Sequence, residues 1–380
     1  MRICVVGPTY PYRGGIAHYT TLLVTHLRAA GHVTRFYSYT RQYPRFLFPG
    51  KTDKDPSTVP LRTECEYILD PMNPLTWWQL CRKVRADAPD VLVLQWWVPY
   101  WTPSLTFISR WIKRNTTIRV VYICHNVVPH EGGGMLDRRF AMTVLRRGDM
   151  FIVHSEQDRY RLLALLPRAK VIKIHHPSYV ELANQSTTHA SAALREQLEL
   201  PNDRPVLLFF GFVRPYKGLE YLIQALPHVL EVLPVHLLVV GEFWSSSQFY
   251  EAYAREFGVE HAITFVNRYV PNEELEPYFD LSEVVVLPYI SATQSGVVQL
   301  AFGFGKPVIT TRVGGLHEVV EDGRTGLIVP PQDENALAEA IIRYVRDGLS
   351  TPMSAAVRVV ASQWPDSWRR LVESVEQAID

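Results

Sequence analysis

Two cations stand close together where the sequence predicts that a buried strand ends. Arg214 and Lys217 follow the apolar run Val206–Phe210, inside the segment Gly211–Leu219. A guanidinium can hold two phosphate oxygens at once, and an ammonium three residues further on supplies a second, compact charge. Glycines on both sides let the backbone approach a ligand closely. This combination predicts a diphosphate site, with a solvated pair of surface charges as the alternative.

Two further loops offer backbone N–H groups to a negatively charged ligand. Gly14 and Gly15 begin a helix pattern after the first predicted strand, where a purely geometric use of glycine is the alternative. The first N–H groups of a helix have no partner inside it, and the helix dipole attracts negative charge to that end. A similar loop precedes a helix pattern after the strand Val284–Leu287. It consists of Thr293, Gln294, Ser295, Gly296 and Val297.

A histidine directly follows another predicted strand. His125 comes after the apolar run Arg119–Cys124, together with Asn126. An imidazole in this place could donate a hydrogen bond to a ligand hydroxyl or phosphate, and a local bond to the backbone is the alternative. The similar pair His154 and Ser155 is better explained by structure, because Ser155 stands where a helix N-cap is expected.

These loops all follow short apolar runs that alternate with helix patterns. One series of predicted strands begins with Ile3–Val6 and a second with Val206–Phe210. Such alternation predicts parallel sheets, whose ligands bind beyond the carboxyl ends of the strands. The fold class is therefore α/β with two Rossmann-like domains, one over residues 1–177 and the other over 178–365. A terminal helix is predicted over 366–380.

Charge and composition narrow the range of partners. Lys plus Arg number 39 against 38 Asp plus Glu, so a dedicated nucleic-acid binder is not expected. The four cysteines are far apart, which argues against a zinc site and fits reduced thiols. The first apolar run is too short for a secretion signal, and no run is long enough to span a bilayer. We expect a cytoplasmic location, with membrane contact limited to the periphery of the inner face.

Aromatic residues cluster in two segments of the N-terminal half. The basic-aromatic loop, Arg41–Lys51, mixes bases with aromatic rings, and Trp96–Trp101 contains three tryptophans. Aromatic rings stack on sugar faces, and a basic-aromatic loop can rest on an anionic membrane. These segments are therefore candidates for binding a saccharide or lipid-linked acceptor. The alternative is that they pack over the domain as part of its core.

Taken together, the motifs resemble glycosyltransferase family four, a large group of retaining enzymes with the GT-B fold. The likeness covers nearly the whole chain. The matching segments are Gly211–Leu219, Gly305–Ile309, Val313–Pro330, Arg13–Tyr19 and Cys124–Pro129. The resemblance implies two Rossmann-like domains that face each other across a cleft. It also implies that the last helix, within Trp364–Asp380, crosses back to cover the N-terminal domain.

The resemblance further implies how a nucleotide-diphosphate sugar would be bound. Arg214 and Lys217 would neutralise the diphosphate, and Gly15 would bring its amide close to the same group. His125 would line the donor-sugar pocket. The loop from residue 293 to residue 297 would lie beneath sugar and phosphate. The residues near the nucleobase would be Arg268, Tyr269 and Val270.

One departure from the family pattern concerns the donor sugar. Family members commonly carry two glutamates separated by seven residues in this region, and by alignment on Gly305-Lys306-Pro307 these positions fall on Ala292 and Leu300 here. Both carboxylates are therefore absent. Gln294, Gln299 and Glu318 are the candidates to replace them. The chain compares better with an atypical subgroup that has a Gln-Ser-Gly loop in this place.

The predicted activity is transfer of a sugar from a nucleotide-diphosphate donor to a hydroxyl of a saccharide or lipid-linked glycan, with retention. His125, Arg214 and Lys217 are the predicted catalytic residues. No catalytic Asp-x-Asp metal motif is evident, and the cations and helix N–H groups can stabilise a leaving diphosphate. We therefore expect neither a metal nor a cofactor.

Two other functions are alternatives. A nucleotide-sugar epimerase or hydrolase of GT-B shape would need positioned carboxylates for proton or water activation. A non-catalytic, two-lobed sugar-binding protein would be expected to carry a secretion signal. A dinucleotide-dependent oxidoreductase is disfavoured, because no GxGxxG motif with a suitably spaced acidic residue follows a strand.

Overall fold

The chain forms two compact units. The computed structural model describes residues 1–44, 48, 50–128, 134–179, 190–363 and 365–379. Unit 1 comprises Met1–Asp55, Pro60–Pro177 and Pro365–Asp380, and unit 2 comprises Pro56–Val59 and Ser178–Trp364. Residues 45–47 and 49 of the basic-aromatic loop, and Pro129 after the candidate histidine, lie outside the described residues.

The short segment Pro56–Val59 departs from the predicted division, because it belongs to unit 2. The Ser57 hydroxyl oxygen accepts a hydrogen bond from the backbone N–H of Asn272 at 3.0 Å. The backbone N–H and the hydroxyl of Thr58 both donate to Glu273 Oε1, each at 2.7 Å. Polar side-chain bonds of this kind leave no apolar periodicity in the sequence, so the pattern of strands and helices could not reveal them.

Unit 1 is built on seven parallel strands in the order β3-β2-β1-β4-β5-β6-β7. The strands β1–β7 are Arg2–Val6, Val33–Tyr39, Glu66–Leu69, Val91–Trp96, Arg119–Cys124, Met150–Val153 and Lys170–Lys173. The helices α1–α5 are Gly15–Ala29, Pro74–Asp87, Thr102–Asn115, Met135–Leu145 and Glu156–Leu165. The Ser155 hydroxyl oxygen accepts from the backbone N–H of Asp158 at 3.1 Å, so Ser155 caps α5.

Unit 2 repeats this plan with six parallel strands in the order β10-β9-β8-β11-β12-β13, the order of a Rossmann fold. The strands β8–β13 are Val206–Phe210, His236–Val240, Ile263–Val266, Val284–Leu287, Val308–Thr311 and Gly326–Val329. The helices α6–α13 are Ala190–Gln197, Leu219–Leu230, Ser247–Glu256, Leu275–Asp280, Gly296–Gly303, Leu316–Val319, Glu334–Arg346 and Ser350–Ser362. Strands β8, β9 and β11 are fully buried runs, which explains their continuous Val, Leu and Phe composition.

The last helix, α14 (Pro365–Glu376), packs on unit 1 rather than on unit 2. Trp368 is buried against α1, and its ring stacks on that of His26 with centroids 5.0 Å apart. The Lys170 ammonium donates to the Gln377 carbonyl at 2.6 Å, which ties the end of the chain to β7. The helix therefore completes the apolar core beside α1.

A cluster of buried histidines surrounds Tyr19 of α1. The Tyr19 ring centroid lies 4.7 Å from that of His125, 5.3 Å from His154 and 5.4 Å from His176. His154 Nδ1 bonds to the Ile174 carbonyl at 2.8 Å. All three imidazoles are almost fully buried. The end of the unit 1 sheet thus holds three polar rings that make mostly aromatic contacts.

The tryptophans predicted as an acceptor platform are part of the unit 1 core. Trp96, Trp97 and Trp101 are 1%, 5% and 0% exposed. Trp101 packs its ring against Tyr39 and Tyr43, with centroids 4.6 and 5.4 Å away. The prediction that these three rings lie open to a sugar was wrong, and for them core packing, the alternative, holds.

None of the helices in the described part of the chain is long and apolar enough to cross a membrane.

We expect Trp368→Ala to lower the free energy of unfolding of unit 1 by about 3–5 kcal/mol, because it removes a fully buried indole that the surroundings cannot replace. Trp78→Ala is the matched control, since that indole is 44% exposed and its loss should change stability little. Urea unfolding monitored by circular dichroism gives both values. Equal effects of the two substitutions would contradict the role of Trp368.

The buried histidines should make unit 1 sensitive to acid. Burial lowers the pKa of His154 to about 4 and that of His176 to about 3, with a repulsive contribution from His154 in the second case. Burial, together with the same two neighbours, holds the pKa of His125 well below its ordinary value. The folded state keeps the rings neutral, whereas the unfolded chain binds protons below about pH 6.5. Stability should therefore be complete above that pH and fall as the pH drops towards 4.

Each of the three rings should contribute up to about 1.4 kcal/mol per pH unit to this loss. His154→Gln should remove one such contribution, whereas His228→Gln should not, because His228 is exposed on α7. Urea unfolding at several pH values between 7.5 and 4.5 measures the slope. A slope that is unchanged in His154→Gln would refute the assignment.

Candidate functional site

Two of the predicted loops meet at the centre of the unit 2 sheet. Strands β8 and β11 lie side by side, where the strand order reverses, and ligands of such sheets bind at this point. The loop after β8 carries Arg214 and Lys217, and the loop after β11 leads to residues 293–297. A backbone hydrogen bond of 2.8 Å, from Ile290 N to the Tyr216 carbonyl, joins the loops.

Two glycines allow these loops to approach so closely. Gly218 has φ +65°, and a Cβ on it would lie 2.1 Å from the Pro288 carbonyl oxygen. Gly314 has φ +51°, and a Cβ there would lie 2.0 Å from the Ala292 carbonyl oxygen. Its neighbour Gly315 donates its N–H to the Thr293 carbonyl at 2.8 Å. Only glycine fits both positions, so the glycine spacing seen in the sequence fixes the shape of the site.

Lys217 is a buried cation without an acidic partner in the described part of the chain. Lys217 is the last residue of the 3-10 turn Pro215–Lys217 and is 7% exposed. Its Nζ lies 5.4 Å from the centre of the Tyr289 ring. Burial, and secondly the charge of Arg214, lowers the pKa of Lys217 to about 7. A bound anion would favour the charged form of this ammonium. The residue is therefore poised to gain its charge when a phosphate arrives.

Arg214 is held by aromatic rings. Its guanidinium carbon lies 5.0 Å from the Tyr216 ring centre and 4.9 Å from that of Trp244. Trp244 in turn contacts Phe212, and Phe212 contacts Tyr269, with ring centroids 4.8 and 5.9 Å apart. Stacking on rings fixes the plane of the guanidinium, whose N–H groups point outward along its edge. The predicted phosphate and nucleobase residues are thus linked by one aromatic wall.

The loop from residue 293 to residue 297 differs from the prediction at its last N–H group. Ser295 caps α10, and its hydroxyl oxygen accepts from the backbone N–H of Val297 at 3.2 Å. The Val297 N–H, which was expected to be free for an anion, donates to this cap in the structure, and the part of Val297 in donor binding stays a prediction. Thr293 and Ser295 are themselves buried, whereas Gln294 and Gly296 are partly exposed.

Two glutamine oxygens lie near the positions where the family usually has glutamates. The side-chain oxygens of Gln294 and Gln299 are buried and accept no hydrogen bond from the described residues. Ala292 and Leu300, at the glutamate positions themselves, are buried apolar residues. Unpaired buried oxygens are costly in a folded protein and indicate that a partner is missing. The two glutamine oxygens are therefore candidates to accept a hydrogen bond from a ligand.

The remaining predicted residues of unit 2 have mixed environments. Glu318 lies on α11, and its backbone N–H donates to the Gly315 carbonyl at 3.1 Å. Arg268 forms an ion pair with Glu274 and donates to the Tyr278 hydroxyl at 2.9 Å. Val270 is buried. Because Arg268 is already engaged within the unit, Tyr269 is the stronger candidate for contact with a base.

Unit 1 carries the other predicted residues. Gly14 has φ +103° and caps α1, where its carbonyl accepts from the N–H groups of Ala17 and His18. Gly15 is the first residue of that helix. His125 follows β5, and its Nε2 bonds to the Gln95 side-chain oxygen at 2.7 Å. The structure therefore fixes the orientation of the imidazole from within the sheet.

Sequence reasoning missed the residues that support these groups. Gln95 is fully buried in the otherwise apolar strand β4, and this single polar residue in an apolar run was the available signal. Tyr289 beneath Lys217 and Trp244 beneath Arg214 lie far from them in sequence. Local patterns carry no information on such contacts, which only the strand order creates.

Two family models match the two halves of the chain. The model described as glycosyl transferase 4-like domain matches residues 14–177, and the model for glycosyl transferases group 1 matches residues 204–347. Each of the two predicted domains is therefore matched by one family model.

Several curated relatives are similar over long stretches. The GDP-mannose-dependent alpha-(1-6)-phosphatidylinositol monomannoside mannosyltransferase of Mycolicibacterium smegmatis is 32% identical over 70% of this chain and 70% of its own length. The D-inositol 3-phosphate glycosyltransferase of Corynebacterium urealyticum is 29% identical over 54% of this chain and 51% of its own length. The chain spans about half the length of most of these relatives.

Solved structures show the same fold over the whole chain. HepE of Anabaena in complex with UDP is 18% identical with a TM-score of 0.76, covering 99% of this chain and all of that one. Sucrose-phosphate synthase of Thermosynechococcus elongatus is 22% identical with a TM-score of 0.74, covering 99% and 98%. These likenesses confirm the predicted GT-B fold.

The family models and the relative that is matched over 70% of both chains indicate the same family as the glycine loops and the paired cations of unit 2. The chain belongs to glycosyltransferase family four.

Proposed function

We propose that this protein transfers a sugar from a nucleotide-diphosphate donor to an acceptor hydroxyl, with retention at the anomeric carbon. The observation that carries the proposal is Lys217, a buried ammonium with no acidic partner among the described residues. Beside it, Arg214 presents a stacked guanidinium. Two cations in a glycine-bounded loop suit a diphosphate better than any single-charge ligand.

The proposed reaction breaks the bond between the anomeric carbon and the diphosphate oxygen. Negative charge then grows on the leaving oxygen, and Lys217 and Arg214 stabilise it. The acceptor hydroxyl attacks from the same face, forms the new glycosidic bond and gives its proton to the departing phosphate oxygen. The protein supplies position and charge, without a metal or a cofactor.

His125 is proposed to line the donor-sugar pocket as a neutral group. Gln95 holds its ring through the bond to Nε2, and burial keeps the pKa of the imidazole low. A neutral, oriented ring can bond a sugar hydroxyl without attracting a second phosphate. Gln294 and Gln299 take the place of the missing carboxylates in this proposal, since an amide oxygen, like a carboxylate oxygen, accepts a hydrogen bond from a hydroxyl group.

The names of the relatives support a proposal for the donor and acceptor classes. The Mycolicibacterium relative is named for GDP-mannose and a phosphatidylinositol monomannoside, and the HepE structure contains UDP. We propose a nucleotide-diphosphate hexose as donor and a saccharide or lipid-linked glycan as acceptor. The buried tryptophans of β4 and its following turn take no part in acceptor binding, because the core covers them.

We expect Lys217→Met to lower kcat by about 10²–10³-fold, because it removes a charge that stabilises the leaving group while it keeps most of the side-chain volume. The assay measures release of nucleoside diphosphate from UDP-, GDP- and ADP-hexoses with and without a saccharide acceptor. Lys306→Met is the control, since that ammonium is bonded to the Ser282 carbonyl at the end of α9. Undiminished transfer by Lys217→Met would refute the proposal, and equal release without an acceptor would favour a hydrolase.

Binding of the product diphosphate should weaken as the pH rises above 7. The pKa of Lys217 is about 7 in the free protein, so above that pH the side chain is mostly a neutral amine, which must take up a proton when the anion binds. The dissociation constant should therefore rise by up to about tenfold per pH unit. Calorimetry with the best-binding nucleoside diphosphate between pH 6.5 and 9 measures this. Lys217→Met should abolish the pH dependence, and a wild-type affinity constant over this range would contradict it.

A further inference from the structure

A cluster of cations occupies one surface of unit 1 and includes none of the residues proposed for donor binding. Helices α3 and α4 pack side by side, and a groove between their C-terminal ends is lined only by basic residues. These are Arg110, Lys113, Arg114, Arg146 and Arg147. Residues 102–115 and 134–149 together hold seven cations and two carboxylates, whereas the whole chain has a net charge of only +1. The basic groove is therefore a local concentration of charge.

The cations of the basic groove are largely uncompensated. Asp149 is the acid at its edge, and it pairs with Lys113 at 2.6 Å and with Arg119 at 3.8 Å. Arg110, Arg114 and Arg146 form no ion pair with the described residues. Burial, and then repulsion that includes Arg146, Arg110 and Arg114, lowers the pKa of Arg147. Such a surface attracts a polyanion.

Helix α4 adds exposed apolar side chains to this charge. It buries only Ala141, Val144 and Leu145 in the core. Four large apolar residues lie on its outer surface instead: Met135 is 77% exposed, Leu136 68%, Phe140 44% and Met142 41%. Arginines 138 and 139 stand between them and are exposed as well. An outer face that alternates arginine with large apolar groups is typical of helices that lie in a membrane interface.

Neighbouring helix α2 continues the same character, and one groove of unit 2 differs from it. α2 packs against α3 and exposes Leu75 and Trp78, with Arg82 stacked 4.8 Å from the Trp78 ring centre. A comparable groove on unit 2 is lined by both signs of charge, since Glu339 and Asp347 accompany Arg343 and Arg346. We call the outer faces of helices α2, α3 and α4, with the basic groove, the α2–α4 surface. Of the two grooves compared, only the one on this surface combines largely unpaired cations with exposed apolar side chains.

We infer that the α2–α4 surface docks unit 1 onto an anionic lipid bilayer. The apolar side chains of α4 would enter the headgroup region, and the cations of the basic groove would face lipid phosphates. A soluble polyanion would satisfy the arginines but would leave Met135, Leu136 and Phe140 in water, so the bilayer is the better partner. The inference stands apart from glycosyl transfer, because none of these residues belongs to the proposed donor site.

The test is sedimentation of the full chain with lipid vesicles. One set contains phosphatidylcholine alone, and the other contains about one third anionic phosphatidylglycerol. We expect binding to the anionic set only, weakening as the salt concentration rises from about 0.05 to 0.5 M. Binding to neither set, or equal binding to both, would overturn the inference.

Two double variants test whether the basic groove is the part of the protein that contacts the vesicles. Arg110→Gln with Arg114→Gln should weaken binding to anionic vesicles by about 25-fold, since each base near such a surface contributes about fivefold. Arg343→Gln with Arg346→Gln removes the same charge from unit 2 and should have little effect. Equal losses in the two pairs would show that net charge alone drives binding and would overturn the inference.

Leu136→Ser with Phe140→Ser separates a bilayer from a soluble polyanion. Both residues are exposed, so the variant should fold normally and yet bind vesicles at least tenfold more weakly. Full binding by this variant, together with loss in the arginine variant, would indicate a charge-only polyanion surface and overturn the bilayer assignment. Donor turnover with a soluble acceptor should be unchanged in both variants, so failure of docking and failure of the proposed function give different results.

Discussion

Parallel strand pairing is the constraint on which the candidate site depends. Because β8 pairs with β9 on one side and β11 on the other, the loops after β8 and β11 must leave the sheet at the same edge. Lys217 and the loop before α10 are more than 70 residues apart in sequence, yet the pairing makes them neighbours. The chemistry of unit 2 is a consequence of strand order more than of any single motif.

The site buries Lys217 in surroundings that disfavour its charged form. Lys217 is buried, and the loops around it are so close that Gly218 and Gly314 cannot be replaced without displacement of the backbone. A desolvated ammonium lowers the stability of the empty protein, and the same desolvation strengthens its interaction with an arriving phosphate. Burial of Lys217 by the loops of unit 2 therefore lowers the stability of the empty protein and strengthens the binding of a phosphate at the same position.

The sequence was sufficient for features that repeat along the chain and insufficient for those that depend on distant contacts. Apolar runs and glycine spacing gave the two parallel sheets and placed Arg214 and Lys217 at a strand end. The same runs could not show that Trp101 is buried, because aromatic residues suit cores and binding surfaces equally. Gln95 and the histidines around Tyr19 come from separate strands, so their contacts exist only after the sheet has formed.

The return of α14 to unit 1 affects how the chain can fold during synthesis. Trp368 completes the core beside Tyr19 and His26, but the ribosome makes the main part of unit 2, Ser178–Trp364, between Pro177 and that tryptophan. At ordinary rates of translation this interval lasts about 10–40 s. During that time the side of α1 that Trp368 covers remains exposed. Unit 1 therefore emerges from the ribosome first but completes its core last.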